Sequence, residues 1–145
     1  MPAREAGFSF AGRGDFLAML QVLLVFLGGG AGSAARHGVN IGAARLFGTD
    51  FPWGTLIVNV VGSFVMGLLA AWFAFKAGAS WSQHARLLMT TGFLGGFTTF
   101  STFSLDTALM WERDAYVVAI VYVVASVIFG VLGLFGGLAL VRSFS

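Results

Sequence analysis

At 145 residues the chain has room for a single small domain (residues 1–145), and 58% of it is apolar against only 10% charged. A soluble domain of this size carries about 25% charged residues, so the composition excludes an ordinary soluble fold and describes an all-α, polytopic membrane protein. The net charge of +2 comes from eight scattered basic residues without a run, which excludes a nucleic-acid surface; the absence of cysteine excludes disulfides and thiolate metal sites.

Met1 to Asp15 is polar and glycine-containing, with Arg4, Glu5, Arg13 and Asp15, and reads as a loosely ordered start. The uncharged run that follows places the first span at residues 16–36, about the length that crosses a bilayer. Within it Gly28 and Gly32 are four apart, a spacing that lets helix backbones approach closely in lipid. Two other readings compete here. Arg4 and Arg13 ahead of an apolar run resemble a signal peptide with Ala31 to Ala35 as its cleavage site, but the run is longer than such segments usually carry. Val22 to Leu27 followed by Gly30-x-Gly32-x-x-Ala35, with Asp50 downstream, imitates a dinucleotide fingerprint. The rest of the chain lacks the amphipathic helices that would cover such a sheet.

Arg36 to Asp50 reads as a connection, with Arg36, His37, Asn40 and Arg45, whose small and apolar residues suit a short interfacial helix. The second span is placed at 52–75, with Trp53 at the membrane–water boundary. Thr55, Asn59 and Ser63 recur every four residues in it and share one helix face. An amide inside a membrane must find partners. Asn59 is either glue between helices or a pore-lining donor whose NH2 group can bind an anion. Lys76 to Arg86 is a short loop, with Trp81 and His84 near the next interface and His84 read as a solvated loop histidine.

The third span, at 84–111, is the unusual one. Its uncharged run from Leu87 to Leu105 contains three glycines and seven hydroxyls (Thr90, Thr91, Thr98, Thr99, Ser101, Thr102, Ser104) where an anchor would carry leucine and valine. Irregular backbone and polar side chains at membrane depth are tolerated only when buried in protein or lining a wet cavity. The stretch from Gly92 to Ser104 is therefore the candidate functional site, on a helix broken within 93–99, near Gly95–Thr98. A charged turn at Asp106, Glu112, Arg113 and Asp114 leads to the fourth span, at 115–141. Tyr116, Tyr122 and Ser126 can face one side of it, and Gly133-x-x-x-Gly137 offers a second close-packing seam.

Four spans put both termini and the Lys76–Arg86 loop on one side, with five basic residues (Arg4, Arg13, Lys76, Arg86, Arg142) against three (Arg36, Arg45, Arg113) on the other. Orientation follows the basic excess, and this one is weak. Either the bias suffices for one orientation, or the chain inserts both ways and opposed copies pair as a two-fold dimer.

The spans hold no nucleophile with a nearby base, so the chain is not read as an enzyme. Nor do they hold a mid-span carboxylate of the kind proton-coupled transporters use. They do hold donors and ring edges. Phe97, Phe100 and Phe103 recur every three residues. Such a stripe commonly faces lipid or core, yet a phenyl ring is positive around its edge and can help pass a small anion through a dry constriction. No mid-span lysine or arginine traps an anion, and weak repeated sites favour conduction. Beside this, a break at Gly95–Thr98 would free carbonyl oxygens of the kind that bind Na+.

The run Gly92-Phe-Leu-Gly-Gly-Phe-Thr-Thr-Phe-Ser-Thr-Phe-Ser104 closely resembles the signature of the Fluc (CrcB) fluoride channels of microorganisms. So do Pro52-Trp53-Gly54-Thr55-Leu56-Ile57-Val58-Asn59 and the glycine-rich first span ending in Arg36. The resemblance extends over the whole chain in length and span order. It implies a dual-topology, antiparallel homodimer in the cell (inner) membrane that passively exports toxic fluoride through two pores along the dimer interface. It also implies a structural, untransported Na+ held by the backbone carbonyls of Gly95 and Thr98. By position, the resemblance makes Phe100 and Phe103 the aromatic boxes, with Ser101 and Thr102 beside them in the track. Asn59 becomes the amide at a pore mouth, with Thr55 a turn before it. Tyr122 and Ser126 become the lining opposite, and Arg36 a vestibule charge that draws anions. Asp106 stands where some relatives carry glutamate and Gly130 where some carry serine. Fluoride, the bilayer and a second copy of the chain are the partners implied; no nucleic acid or other protein is. The competing functions are a small four-helix, dual-topology exporter of cationic drugs, which would want an embedded carboxylate, and a purely structural membrane protein, in which Asn59 and the hydroxyls would be idle.

Overall fold

The computed structural model describes residues 12–75 and 80–144, all of its regular structure being helical. The polar start, Lys76 and the side chains of Arg13 and Trp81 lie outside the described residues. Helix α1 spans Arg13–Phe47, 35 residues, or about 52 Å at the helical rise. That is well beyond the roughly 30 Å of a hydrocarbon core. Arg36 does not end it. No proline or turn cluster interrupts the segment after Arg36, so the expected connection continues as helix until Gly48, whose φ of 80° takes the left-handed conformation that stops it. Asp15 in the first turn and Arg45 in the last complement the helix dipole.

Helix α2, Trp53–Phe75, starts directly after Pro52, whose missing N–H costs nothing at a helix start. Three consecutive helical pieces follow: α3 at Ser80–Arg86, a π-helical stretch at Leu87–Leu94, and a single turn, α4, at Gly95–Phe97. Thr98 and Thr99 are extended, and α5 then runs Phe100–Glu112. Asp114, at φ 60°, ends that helix while the Ala115 N–H reaches back to the Met110 carbonyl at 3.0 Å; an aspartate accepts this left-handed position more readily than a larger side chain. Helix α6 is Tyr116–Arg142. Among the described residues three helices, α1, α2 and α6, are long and apolar enough to cross a membrane.

Glycines set the packing. Helix α2 lies chiefly along α6, and α1 lies along the π stretch and α4. A Cβ on Gly32 would overlap the Phe93 carbonyl, and one on Gly137 would overlap the Phe64 carbonyl. Backbone thus meets backbone in both seams, as the Gly28/Gly32 and Gly133/Gly137 spacings lead one to expect, and as lipid requires where apolar side chains gain little by leaving the solvent. Two small cores form, one around Val58, Leu94 and Phe97 and the other around Met110, Ala119 and Tyr122. Large apolar side chains cover the outside of α6, among them Val117, Ile128, Phe129 and Phe135.

Candidate functional site

Where α4 ends, the backbone hydrogen bonds change partners. The Thr98 N–H and the Thr98 hydroxyl both donate to the Leu94 carbonyl, at 3.0 and 2.9 Å. Thr98 (φ −83°, ψ 158°) and Thr99 (φ −153°, ψ 118°) are then extended, so the next helical bond, from the Thr99 N–H to the Gly95 carbonyl, is not made. Asn59 takes its place. Its Oδ1 accepts the Thr99 N–H at 2.8 Å, and its Nδ2 donates to the Thr99 carbonyl at 3.1 Å. One side-chain amide pairs with one extended residue much as a neighbouring strand would. Thr99 then caps α5: its Oγ1 accepts the Thr102 N–H at 3.2 Å, its hydroxyl donates to Thr102 Oγ1 at 3.1 Å, and Ser101 Oγ lies 3.3 Å away. From α1, Arg36 Nη1 donates to the Thr98 carbonyl at 3.3 Å, and Ser33 donates to the Gly96 carbonyl at 3.4 Å.

A groove of about 340 Å³ opens beside this dipeptide, lined among others by Asn59, Thr98, Phe100, Phe103 and Ser126. None of its described lining residues is charged. The Ser126 hydroxyl is buried without a partner. Phe100 is 79% exposed, and its ring lies 5.6 Å from that of Phe103, tilted by 41°. On its other side Phe103 meets Tyr122, with centroids 5.3 Å apart. Tyr122 is fully buried; its hydroxyl faces Thr55 and donates to Asp106 Oδ2 at 3.3 Å, and Phe51 meets its ring edge-on. Beyond this pair lies a second cavity of about 300 Å³, whose polar lining includes Asn40, Thr55, Thr102, Asp106 and Arg113.

The structure therefore sorts the expected residues into two chambers. Asn59, Thr98, Phe100, Phe103 and Ser126 share the central groove. Thr55 and Thr102 border the second cavity; Tyr122 lines neither and packs against Phe103. Ser101 points outward on α5. Arg36 lines neither cavity and sits instead on the Thr98 carbonyl. Gly95 borders a third cavity of about 620 Å³ with Arg86, Thr90 and Thr91. Thr99 is the residue that sequence reasoning underrated. Its signal was a threonine three before Thr102, at the start of a run that resumes helix, which is the spacing of an N-cap.

Among the described residues no three His, Asp or Glu side chains converge, so a metal would have to be held by other oxygens. The backbone supplies two. The Gly95 carbonyl has lost its helical donor to Asn59, and the Thr98 carbonyl keeps a lone pair beside the one that Arg36 uses. Neutral oxygens of this kind fit a hard monovalent cation such as Na+.

Long apolar helices, glycine seams and a polar, uncharged groove beside extended backbone define a helical, polytopic membrane protein. Residues 23–138 match the family described as CrcB-like protein, Camphor Resistance (CrcB), and the chain belongs to that family. It is 55% identical over 124 residues to the fluoride-specific ion channel FluC of Rhodopseudomonas palustris (strain BisB5), covering 86% of this chain and 98% of that one. It is 55% identical over 123 residues to FluC 2 of Nitrobacter hamburgensis, covering 85% and 98%. With the FluC of a Caulobacter species it shares 52% over 124 residues, covering 86% and 96%.

Proposed function

We propose that the chain is a fluoride-selective channel, not an enzyme, that lets cytoplasmic fluoride leave the cell down its gradient. The observation that carries the reading is the central groove. It brings Asn59, Ser126 and the Phe100 and Phe103 rings around one space without a charged side chain, and the buried Ser126 hydroxyl has no partner in the protein. A small anion there exchanges hydration water for hydrogen bonds and positive ring edges. None of these partners is strong enough to trap it, which is what conduction requires. An exporter of cationic drugs fits less well, because no carboxylate is among the described residues of that groove.

In this reading α3, the π stretch, α4 and α5 act together as a fourth span, interrupted at Thr98–Thr99. The working unit is an antiparallel homodimer of dual topology in the inner membrane, formed across the face that carries the outward Phe100 and Ser101. Gly95 and Thr98 would hold a structural sodium ion through their carbonyls, doubled by the second copy. When bound, that ion would supply a fixed positive charge and would not be transported. Arg36 sits close enough to the same carbonyl to add to the positive potential that draws anions inward.

Efflux from liposomes loaded with both fluoride and chloride tests the proposal. Rapid fluoride loss with chloride retained is expected. Equal loss of both ions, or no fluoride loss from folded protein, would refute it.

A further inference from the structure

The two-point grip of Asn59 on Thr99 links the groove to the backbone carbonyls behind it. An α-helix that reached Thr99 would spend the Thr99 N–H on the Gly95 carbonyl. Here that N–H lies 2.8 Å from Asn59 Oδ1, and the Thr99 carbonyl lies 3.1 Å from Asn59 Nδ2. Both φ/ψ pairs are extended, so the same side chain that lines the groove also keeps Gly95 out of the helical ladder. Asn59 Nδ2 carries two hydrogens. One is committed to Thr99, and the other remains for an anion in the groove.

Resting on the channel reading above, we infer that Asn59 is a positioning residue for the cation seat as well as part of the anion path. By holding the Thr99 N–H it leaves the Gly95 carbonyl free to bind sodium. The two halves of the amide divide the work. Oδ1 maintains the cation seat through the backbone, and Nδ2 holds Thr99 and faces the anion. Loss of Asn59 Oδ1 returns the Thr99 N–H to Gly95 and removes one of the two carbonyls the seat depends on.

The test measures thermal unfolding of the purified protein against sodium chloride, with N-methyl-D-glucamine chloride keeping ionic strength constant, alongside fluoride efflux. Sodium is expected to raise the melting temperature of the wild-type protein. In Asn59→Ala the sodium concentration giving half the stabilisation is expected to rise about tenfold or more, the usual effect of losing a group that orients metal ligands. Asn59→Asp keeps an oxygen for the Thr99 N–H but sets its other oxygen against the Thr99 carbonyl, so it is expected to weaken the sodium response less than Asn59→Ala and to lose fluoride flux. Phe103→Ile replaces a ring that borders the groove and meets Tyr122 but holds neither Thr99 nor Gly95 by a hydrogen bond, so it is expected to keep the full sodium response and lose fluoride flux. A wild-type sodium midpoint in Asn59→Ala would overturn the inference, as would an equal loss of the sodium response in Phe103→Ile. Should Asn59→Ala fail to fold, Asn59→Leu, which fills the same space and lacks the Oδ1 acceptor, takes its place, and a wild-type sodium midpoint there overturns the inference. Wild-type protein that conducts fluoride yet shows no sodium response overturns this inference alone. Absence of fluoride flux in the wild type refutes the channel, and the unfolding data still decide the role of Asn59.

Discussion

At the scale of single residues, the groove depends on groups that each do little alone. Ser126 is informative because its hydroxyl is buried with no partner in the protein. Leaving such a donor unsatisfied costs about 1–3 kcal/mol, and in the proposed channel an anion or its accompanying water would remove that cost. Ser126→Ala is expected to leave stability unchanged or slightly improved, while fluoride conductance falls several-fold. Unchanged conductance would assign the hydroxyl to water alone. Phe100 poses a related question, since a ring so exposed in one copy gains little from packing there. Replacing Phe100 or Phe103 by isoleucine preserves apolar bulk and removes the positive ring edge. Fluoride efflux is expected to fall to background with the fold intact by size-exclusion chromatography. Retained full flux would show that the rings only fill space.

At the scale of elements, the seams matter more than the helices themselves. A side chain on Gly137 would meet the Phe64 carbonyl, which is backbone and cannot swing away. Gly137→Val is expected to destabilise the protein by about 1–3 kcal/mol through overpacking, read as a lower midpoint in denaturant, whereas Gly30→Ala, in open space, is expected to be neutral. These seams were legible from the sequence, because small residues four apart have one obvious use in lipid. The positions of α2 and α6 were legible too, from uncharged runs bounded by Pro52 and Arg142. The length of α1 was not. Arg36 looks like a span's end by charge, yet its guanidinium finds the Thr98 carbonyl and the helix passes through to Gly48. The π stretch at Leu87–Leu94 was equally invisible, since no residue pattern marks a change from four- to five-residue hydrogen bonding. The resemblance implied a shared path for Asn59, Phe100, Phe103 and Ser126, but it gave no sign of the pairing of Asn59 with Thr99. One-dimensional spacing shows which face a side chain takes and not which distant backbone group it meets.

At the scale of the whole molecule, the arrangement of Arg36 bears on how the chain sits in the membrane. Counting flanking charges gave five basic residues against three. Arg36 lies inside α1 (Arg13–Phe47) and not at its end, so it is not counted as a flanking charge, which leaves Arg45 and Arg113 on the lighter side. Arg4 lies well before the first span, so the working comparison is four against two. That bias is stronger than the bare count but still small in absolute charge, and a few basic residues set orientation only when they clearly outnumber those opposite. Asp114, at the turn between α5 and α6, is a suitable reporter because the chain has no cysteine of its own. With Asp114→Cys as the single thiol, a membrane-impermeant maleimide applied to intact cells is expected to label about half of the protein if copies insert both ways. Permeabilisation should then expose the remainder. Labelling of all copies or of none would establish one orientation and exclude the antiparallel pairing. Converting Ala115 to lysine in the same variant adds a charge to the lighter side and is expected to push the labelled fraction away from half. If the working unit contains opposed copies, fluoride efflux must fall with it.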